Sequence, residues 1–151
     1  MAGIEQQLAG HQIVGLDTAV FIYHLQAHPT YLPLTTIILQ RVQAGQCTAV
    51  VSTVTIMELT VHPWRQQRAD IARQYEALLA HFPHLQIADL TRDVARCAAQ
   101  LQAYYNLRPA DALQVATAVT HQATIWISND KKLRRLSTRL DILILDDFVT
   151  Q

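Results

Sequence analysis

Glycine, cysteine and charge are all scarce in this chain of 151 residues. Of its four glycines three fall within the first 15 positions, so no Gly/Ser-rich linker divides the sequence. One unit spanning 1–151 is expected. Two cysteines, Cys47 and Cys97, are too few for a disulfide-stapled scaffold, and each lies in an apolar stretch as a small buried hydrophobe would. Charged residues make up 16% against 50% hydrophobic, a composition that forms a core and excludes disorder over most of the length. Twelve basic and twelve acidic residues leave a net charge of +0, which excludes a global basic field for holding nucleic acid but not a local one. No apolar run reaches the roughly 18 residues of a membrane span. The opening MAGIEQQLAGHQ has no basic segment leading into an apolar run, so neither a signal peptide nor a membrane partner is expected. The expected compartment is the cytoplasm.

Several catalytic signatures are also missing. GxGxxG, GxxxxGK[ST] and GxSxG do not occur, which argues against a dinucleotide site, a P-loop and a serine-hydrolase elbow. None of the seven histidines pairs with a cysteine at ligand spacing. His24 and His28 are four apart, yet Pro29 marks a helix ending there, so no histidine metal site is expected.

What is present alternates. Short apolar runs at 13–16, 47–52, 85–88, 124–128 and 142–145 read as strands buried on both faces. Between them lie helical stripes. One is Val94, Cys97, Ala98, Leu101 and Tyr105. A second is Ile71, Tyr75, Leu78 and Leu79, in a helix expected over 64–82, just after Pro63. A third is Ala112, Leu113, Ala116 and Val119, opened by Pro109. Strands separated by helices predict a three-layer α/β/α sandwich with a mainly parallel sheet.

The position of the acids is more informative than their number. Asp17 directly follows the first strand, and Asp130 follows the fourth after Ser128 and Asn129. Asp111 falls in the first turn after Pro109, and Glu58 in the helical stretch after the second strand. Residues just beyond the C-terminal ends of parallel strands converge on one crevice, so four acids distant in sequence can meet. Each acid also has a structural alternative. Asp17 and Asp130 can cap helices, Thr55-x-x-Glu58 can be a capping box, and Asp111 can face a helix dipole. Those alternatives do not explain acids set inside VTIMEL and PADALQVATAV, because acids in apolar segments are costly unless paired or metal-bound. A hard cation such as Mg²⁺ or Mn²⁺ relieves carboxylate repulsion and neutralises a phosphodiester's charge. Lys131, Lys132, Arg134 and Arg135 follow Asp130, and Arg108 precedes Asp111. They are candidate RNA contacts, or else a solvated helix face.

Together, Leu16-Asp17-Thr18 with VFI, VVSTVTIMEL, PADALQVATA, ISNDKKL and the terminal LILDDF resemble a PIN domain, specifically the toxin of VapBC-type toxin–antitoxin pairs. The resemblance covers about 12–149. It implies that Asp17, Glu58, Asp111 and Asp130 surround one or two Mg²⁺ or Mn²⁺ ions and that Ser128, with Thr18 and Asn129, supports them. It further implies an endoribonuclease cutting RNA with metal-activated water, a homodimer, and silencing by a small antitoxin. Where many toxin-like members carry a glycine soon after this glutamate, the chain has LTVHPWRQQR. The alternatives are an inactive PIN-like module that binds RNA or protein, and a PIN nuclease of RNA processing. A haloacid-dehalogenase-type phosphatase needs a second Asp two residues after the first, where this chain has Ala19.

Overall fold

The computed structural model describes residues 3–149; residues 1, 2, 150 and 151 of the expected 1–151 unit lie outside it. The apolar runs form five strands: β1 (Ile13–Leu16), β2 (Thr48–Ser52), β3 (Leu85–Ala88), β4 (Ile125–Ser128) and β5 (Asp141–Ile144). They make one sheet in the order β3-β2-β1-β4-β5, and every neighbouring pair is parallel. Among the described residues seven α-helices accompany them: α1 (Ile4–Leu8), α2 (Thr18–Leu25), α3 (Leu32–Gln43), α4 (Thr53–Arg65), α5 (Ala69–Ala80), α6 (Arg92–Tyr105) and α7 (Pro109–Thr120). Short 3-10 turns follow β4 and β5.

Alternation along the strands sorts side chains into two cores. Val14 and Leu16 of β1, Ala49 and Val51 of β2, and Ile125 and Ile127 of β4 face one way. They pack with residues of the first five helices, among them Leu8, Phe21, Ile38, Leu59 and Leu79. Trp126 of β4 faces the other way, against Val94, Leu101 and Val115 of α6 and α7. Both faces of the sheet are covered, which is why the strands read as apolar runs without polar alternation. The expected three-layer α/β/α fold with a parallel sheet is the fold observed.

Gly15 shows how tightly the second interface is packed. A Cβ placed on it would stand 2.6 Å from Trp126 Cε3 and 2.7 Å from the Ala118 Cβ, inside any real contact distance. The absent side chain lets β4 and α7 close onto the middle of β1.

The expected helix over 64–82 is corrected. α4 runs through Pro63 to Arg65, and α5 begins only at Ala69. Pro63 cannot donate to the Leu59 carbonyl, but it sits in the last turn, where one lost bond does not stop the helix at once. The stop comes at Gln67 (φ 57°), after which the Arg68 N–H returns to the Pro63 carbonyl at 2.9 Å. Sequence punctuation placed the break four residues early.

The strand order reverses at β1. The chain steps outward from β1 to β2 to β3, then crosses back to β4 on the other flank of β1. Ligand crevices in open parallel sheets form outside the strand C-termini at such a reversal. Here those ends are Leu16 and Ser128, followed by Asp17 and Asn129-Asp130.

Candidate functional site

Asp17 stands at the N-cap position of α2, yet its carboxylate does not cap that helix. Its backbone N–H extends the ladder by donating to the Ile127 carbonyl at 2.9 Å. Its side chain accepts the Ser128 hydroxyl at 2.7 Å through Oδ2. Ser128 Oγ accepts in turn from the Asp130 N–H at 3.0 Å, and Asp130 Oδ1 from the Lys132 N–H at 3.0 Å. The capping role that both acids share as an alternative in sequence is therefore realised at Asp130, which caps the 3-10 turn Lys131–Leu136.

Asp111 reaches the same place from the far side of the sheet. Asn106 ends α6 in the left-handed conformation (φ 54°), which asparagine tolerates better than most residues, and the chain reverses. Arg108 is then extended, as the residue before proline must be, and Pro109 starts α7 with Asp111 in its first turn. Arg108 Nε donates to Asp111 Oδ2 at 3.2 Å while the rest of the guanidinium is open to solvent.

The three aspartates line one cleft of about 560 Å³, together with Ser128, Asn129, Arg108, Lys132 and Arg135. Burial pushes the Asp17 carboxyl up to about 6; the Ser128 hydrogen bond opposes this, and the charges of Asp111 and Glu58 add to it. Lys131 and Arg134 turn away: they pair with Asp146 at 3.1 Å and Asp147 at 2.7 Å in the C-terminal turn. Of the five candidate RNA contacts, Lys132, Arg135 and Arg108 face the cleft.

Glu58 is close enough for its charge to be felt by Asp17, but it borders a neighbouring, more apolar cavity with Ile22, Leu59 and Pro63. It belongs to no capping box. Ser52 caps α4 by accepting from the Val54 N–H at 3.0 Å, while Thr55 is fully buried with its hydroxyl unpaired among the described residues. Glu58 Oε1 instead accepts the Thr18 hydroxyl at 2.7 Å and the side-chain amide of Gln114. The Thr18 side chain thus supports Glu58, while its backbone N–H helps to hold the Asp17 carboxylate. Asn129 braces the rim, donating to the Tyr23 hydroxyl at 3.3 Å and accepting from the Asp146 N–H at 2.9 Å.

Three residues of the site escaped the sequence. Gln114 had a signal, a lone amide in the apolar run ALQVATAV. Tyr23 and Asn106, which line the cleft, had none, since a tyrosine in a helix and an asparagine at its end are commonplace.

Among the described residues no three His, Cys, Asp or Glu side chains converge closely enough to hold an ion unaided. That suits an all-protein calcium cage poorly. Mg²⁺ or Mn²⁺ does not need such a cage, because Mg²⁺ is typically held through one or two carboxylates, several waters and a substrate phosphate. Asp17 and Asp111 share the cleft as oxygen donors, and the Asp17 carboxyl is raised mainly by burial, with smaller contributions from the charges of Asp111 and Glu58. The residues present fit such a cation.

The fold is similar to solved structures of low sequence identity. "VapBC-1 from nontypeable Haemophilus influenzae" matches with a TM-score of 0.66 and 18% identity, over 89% of this chain and 98% of that one. A "toxin-antitoxin complex from Klebsiella pneumoniae" gives 0.64 and 18%, over 87% and 97%. "VapBC2 from Rickettsia felis bound to a DNA fragment from their promoter" gives 0.64 and 16%, over 86% and 96%. No curated protein matches the chain. The PIN domain family model matches residues 14–138, a span holding all four acids, both strand ends at the reversal and the helix that carries Asp111. The chain belongs to the PIN domain family.

Proposed function

We propose that this protein is a Mg²⁺- or Mn²⁺-dependent endoribonuclease, the toxin of a toxin–antitoxin pair, acting in the cytoplasm. The observation that carries the proposal is the cleft at the β1–β4 reversal, where three aspartates face three cationic side chains. Membership of the PIN family and similarity to structures described as toxin–antitoxin complexes support the assignment. The preference for RNA over DNA follows from the resemblance to VapC-type toxins.

Asp17 and Asp111 are the residues that would hold the cation, with Asp130 beside them and Glu58 behind. The bound cation supplies charge neutralisation on the phosphodiester and a more acidic water at neutral pH. Ser128 fixes the Asp17 carboxylate in direction and stabilises its ionised form. Lys132 and Arg135 take non-bridging phosphate oxygens along the backbone, and Arg108 does the same once it exchanges its contact with Asp111. Hydrolysis adds water across a P–O bond, leaving a phosphate on one fragment and a hydroxyl on the other. Nothing in that sequence needs a nucleophilic side chain, and the serine of the cleft, Ser128, is already committed to Asp17.

A small antitoxin partner and a homodimer complete the proposal. Met57, Val61 and Trp64 lie four and three residues apart on α4, and all three are exposed, as is Leu78 on α5. Apolar surface of that extent favours a protein partner.

The test is incubation of the purified protein with a mixed RNA pool in Mg²⁺, Mn²⁺ or excess EDTA, followed by mapping of the cut ends. Divalent-dependent internal cuts are expected. Cleavage that persists in EDTA, or an RNA pool left whole under every condition, would overturn the proposal.

A further inference from the structure

Gln114 is buried at the site with no task in the chemistry above. It lies one turn after Asp111 on α7 and is 2% exposed. Its Nε2 donates to Thr18 Oγ1 at 3.2 Å and to Glu58 Oε1. Thr18, itself 4% exposed, donates its hydroxyl to the same Glu58 oxygen at 2.7 Å. Side chains from α7, α2 and α4 therefore close a ring of three hydrogen bonds.

The orientation of the amide follows from its neighbours. Reversed, it would set its oxygen against the Glu58 carboxylate, acceptor on acceptor, and leave its hydrogens unused. As it stands, Gln114 Oε1 is buried without a partner among the described residues. An apolar residue would meet no such penalty here, and Val115 and Ala116 beside it are wholly buried apolar residues. Local rules broken in this way, in a helix otherwise filled with small apolar side chains, gather at functional sites.

We propose that Gln114 is a positioning residue that dictates which oxygen of Glu58 faces a cation. Glu58 Oε1 receives two donors, which occupies both of its lone pairs within the protein. Among the described residues no hydrogen-bond donor is paired with Oε2. Without the ring the carboxylate turns about its last bond and presents either oxygen or neither. The inference rests on the metal-dependent reading of the site.

Gln114→Met keeps the length of the side chain and removes both donors; Thr18→Val and Thr18→Ser remove and keep the hydroxyl. Mn²⁺ is titrated onto each protein and free ion is followed by electron paramagnetic resonance. RNA cleavage is measured at saturating RNA, and the thermal midpoint is measured without divalent ion. Gln114→Met should fold with a midpoint at or above that of the parent. Loss of an outer partner should weaken Mn²⁺ binding about 10- to 100-fold and lower kcat similarly, with KM for RNA unmoved. Thr18→Val should behave likewise and Thr18→Ser like the parent. In a Glu58→Gln background Gln114→Met should change Mn²⁺ affinity no further. Parent-like Mn²⁺ binding by Gln114→Met, or an equal loss with Glu58→Gln already present, would overturn the positioning role and leave the nuclease reading standing. A parent that neither takes up Mn²⁺ nor cuts RNA would overturn both. Should Gln114→Met fail to fold, the Thr18→Val and Thr18→Ser pair decides the matter alone.

Discussion

The Ser128 hydroxyl and the Asp17 carboxylate meet at 2.7 Å across the ends of two adjacent parallel strands. One hydrogen bond thus joins β4 to β1 at the point where the sheet changes direction. It also opposes the rise that burial imposes on the Asp17 carboxyl. Ser128→Ala removes this donor and leaves the Asp130 N–H without its acceptor. Orphaning buried partners of this kind costs about 1–3 kcal/mol. The thermal midpoint should fall by several degrees, the Asp17 carboxyl should titrate higher than in the parent, and cleavage at neutral pH should drop about tenfold or more. Unchanged titration of Asp17 by carboxyl NMR would refute the link.

Asp17→Asn tests the charge itself. The folded protein holds the Asp17 proton up to about 6 against an ordinary 3.8, so folding is linked to proton uptake between those values. Without divalent ion, the parent loses stability as pH rises from about 4 through 6, and the whole deficit remains at neutral pH. Asparagine has no proton to lose. At pH 7.5 the variant should be more stable than the parent by about 3 kcal/mol, and the gap should close as pH falls toward 4. Cleavage by Asp17→Asn and Asp111→Asn should fall by orders of magnitude. Thermal scans across that pH range check the first expectation, and parent-rate cutting by either variant contradicts the second.

The cationic side chains divide by where they point. Lys132→Ala and Arg135→Ala should each lower the slope of log affinity against log salt for single-stranded RNA by about 0.7. Lys131→Ala and Arg134→Ala should leave it in place, because those charges already serve Asp146 and Asp147. Binding isotherms on a catalytically silent Asp17→Asn background, at several salt concentrations, separate the two pairs. Equal slopes for all four variants would show that the cleft does not select its phosphate contacts.

Light scattering should return twice the 17.0 kDa chain mass at micromolar concentration. Trp64→Ser combined with Leu78→Ser, both at exposed positions, should shift the population toward the single chain. A mass of 17.0 kDa for the parent throughout that range would dismiss the homodimer.

Much of this arrangement was legible in the sequence. Strands buried on both faces announce themselves as apolar runs, and Asp17, Asp111 and Asp130 stood where a parallel sheet gathers residues. The less legible parts depend on partners far away in the chain. Whether Asp17 or Asp130 would cap a helix turned on Ser128 reaching one of them and the Lys132 N–H the other. Thr18 and Glu58 lie forty residues apart, and only the packing of α2 against α4 makes them a pair. Pro63 misled because a proline one turn from a helix end leaves the same trace in sequence as one at a helix start.

Gly15→Ala should be among the most damaging small substitutions in the chain. The new methyl group would meet Trp126 and Ala118 at less than 3 Å, and overpacking of this kind costs about 1–3 kcal/mol. Denaturant unfolding should show the loss directly, and Gly15→Ala paired with Trp126→Leu should recover part of it.

The same crowding has a consequence for how genetic screens of this protein will look. Gly15 stands two positions before Asp17 and carries no functional group, yet under the proposed toxin function a survey scoring cell survival would rank the two together as indispensable. They are indispensable in different senses. A harmless Gly15 variant owes its harmlessness to a shortage of folded molecules, and growth at lower temperature should restore some of its toxicity. A harmless Asp17 variant should instead be abundant, well folded and inert, and cooling should restore nothing.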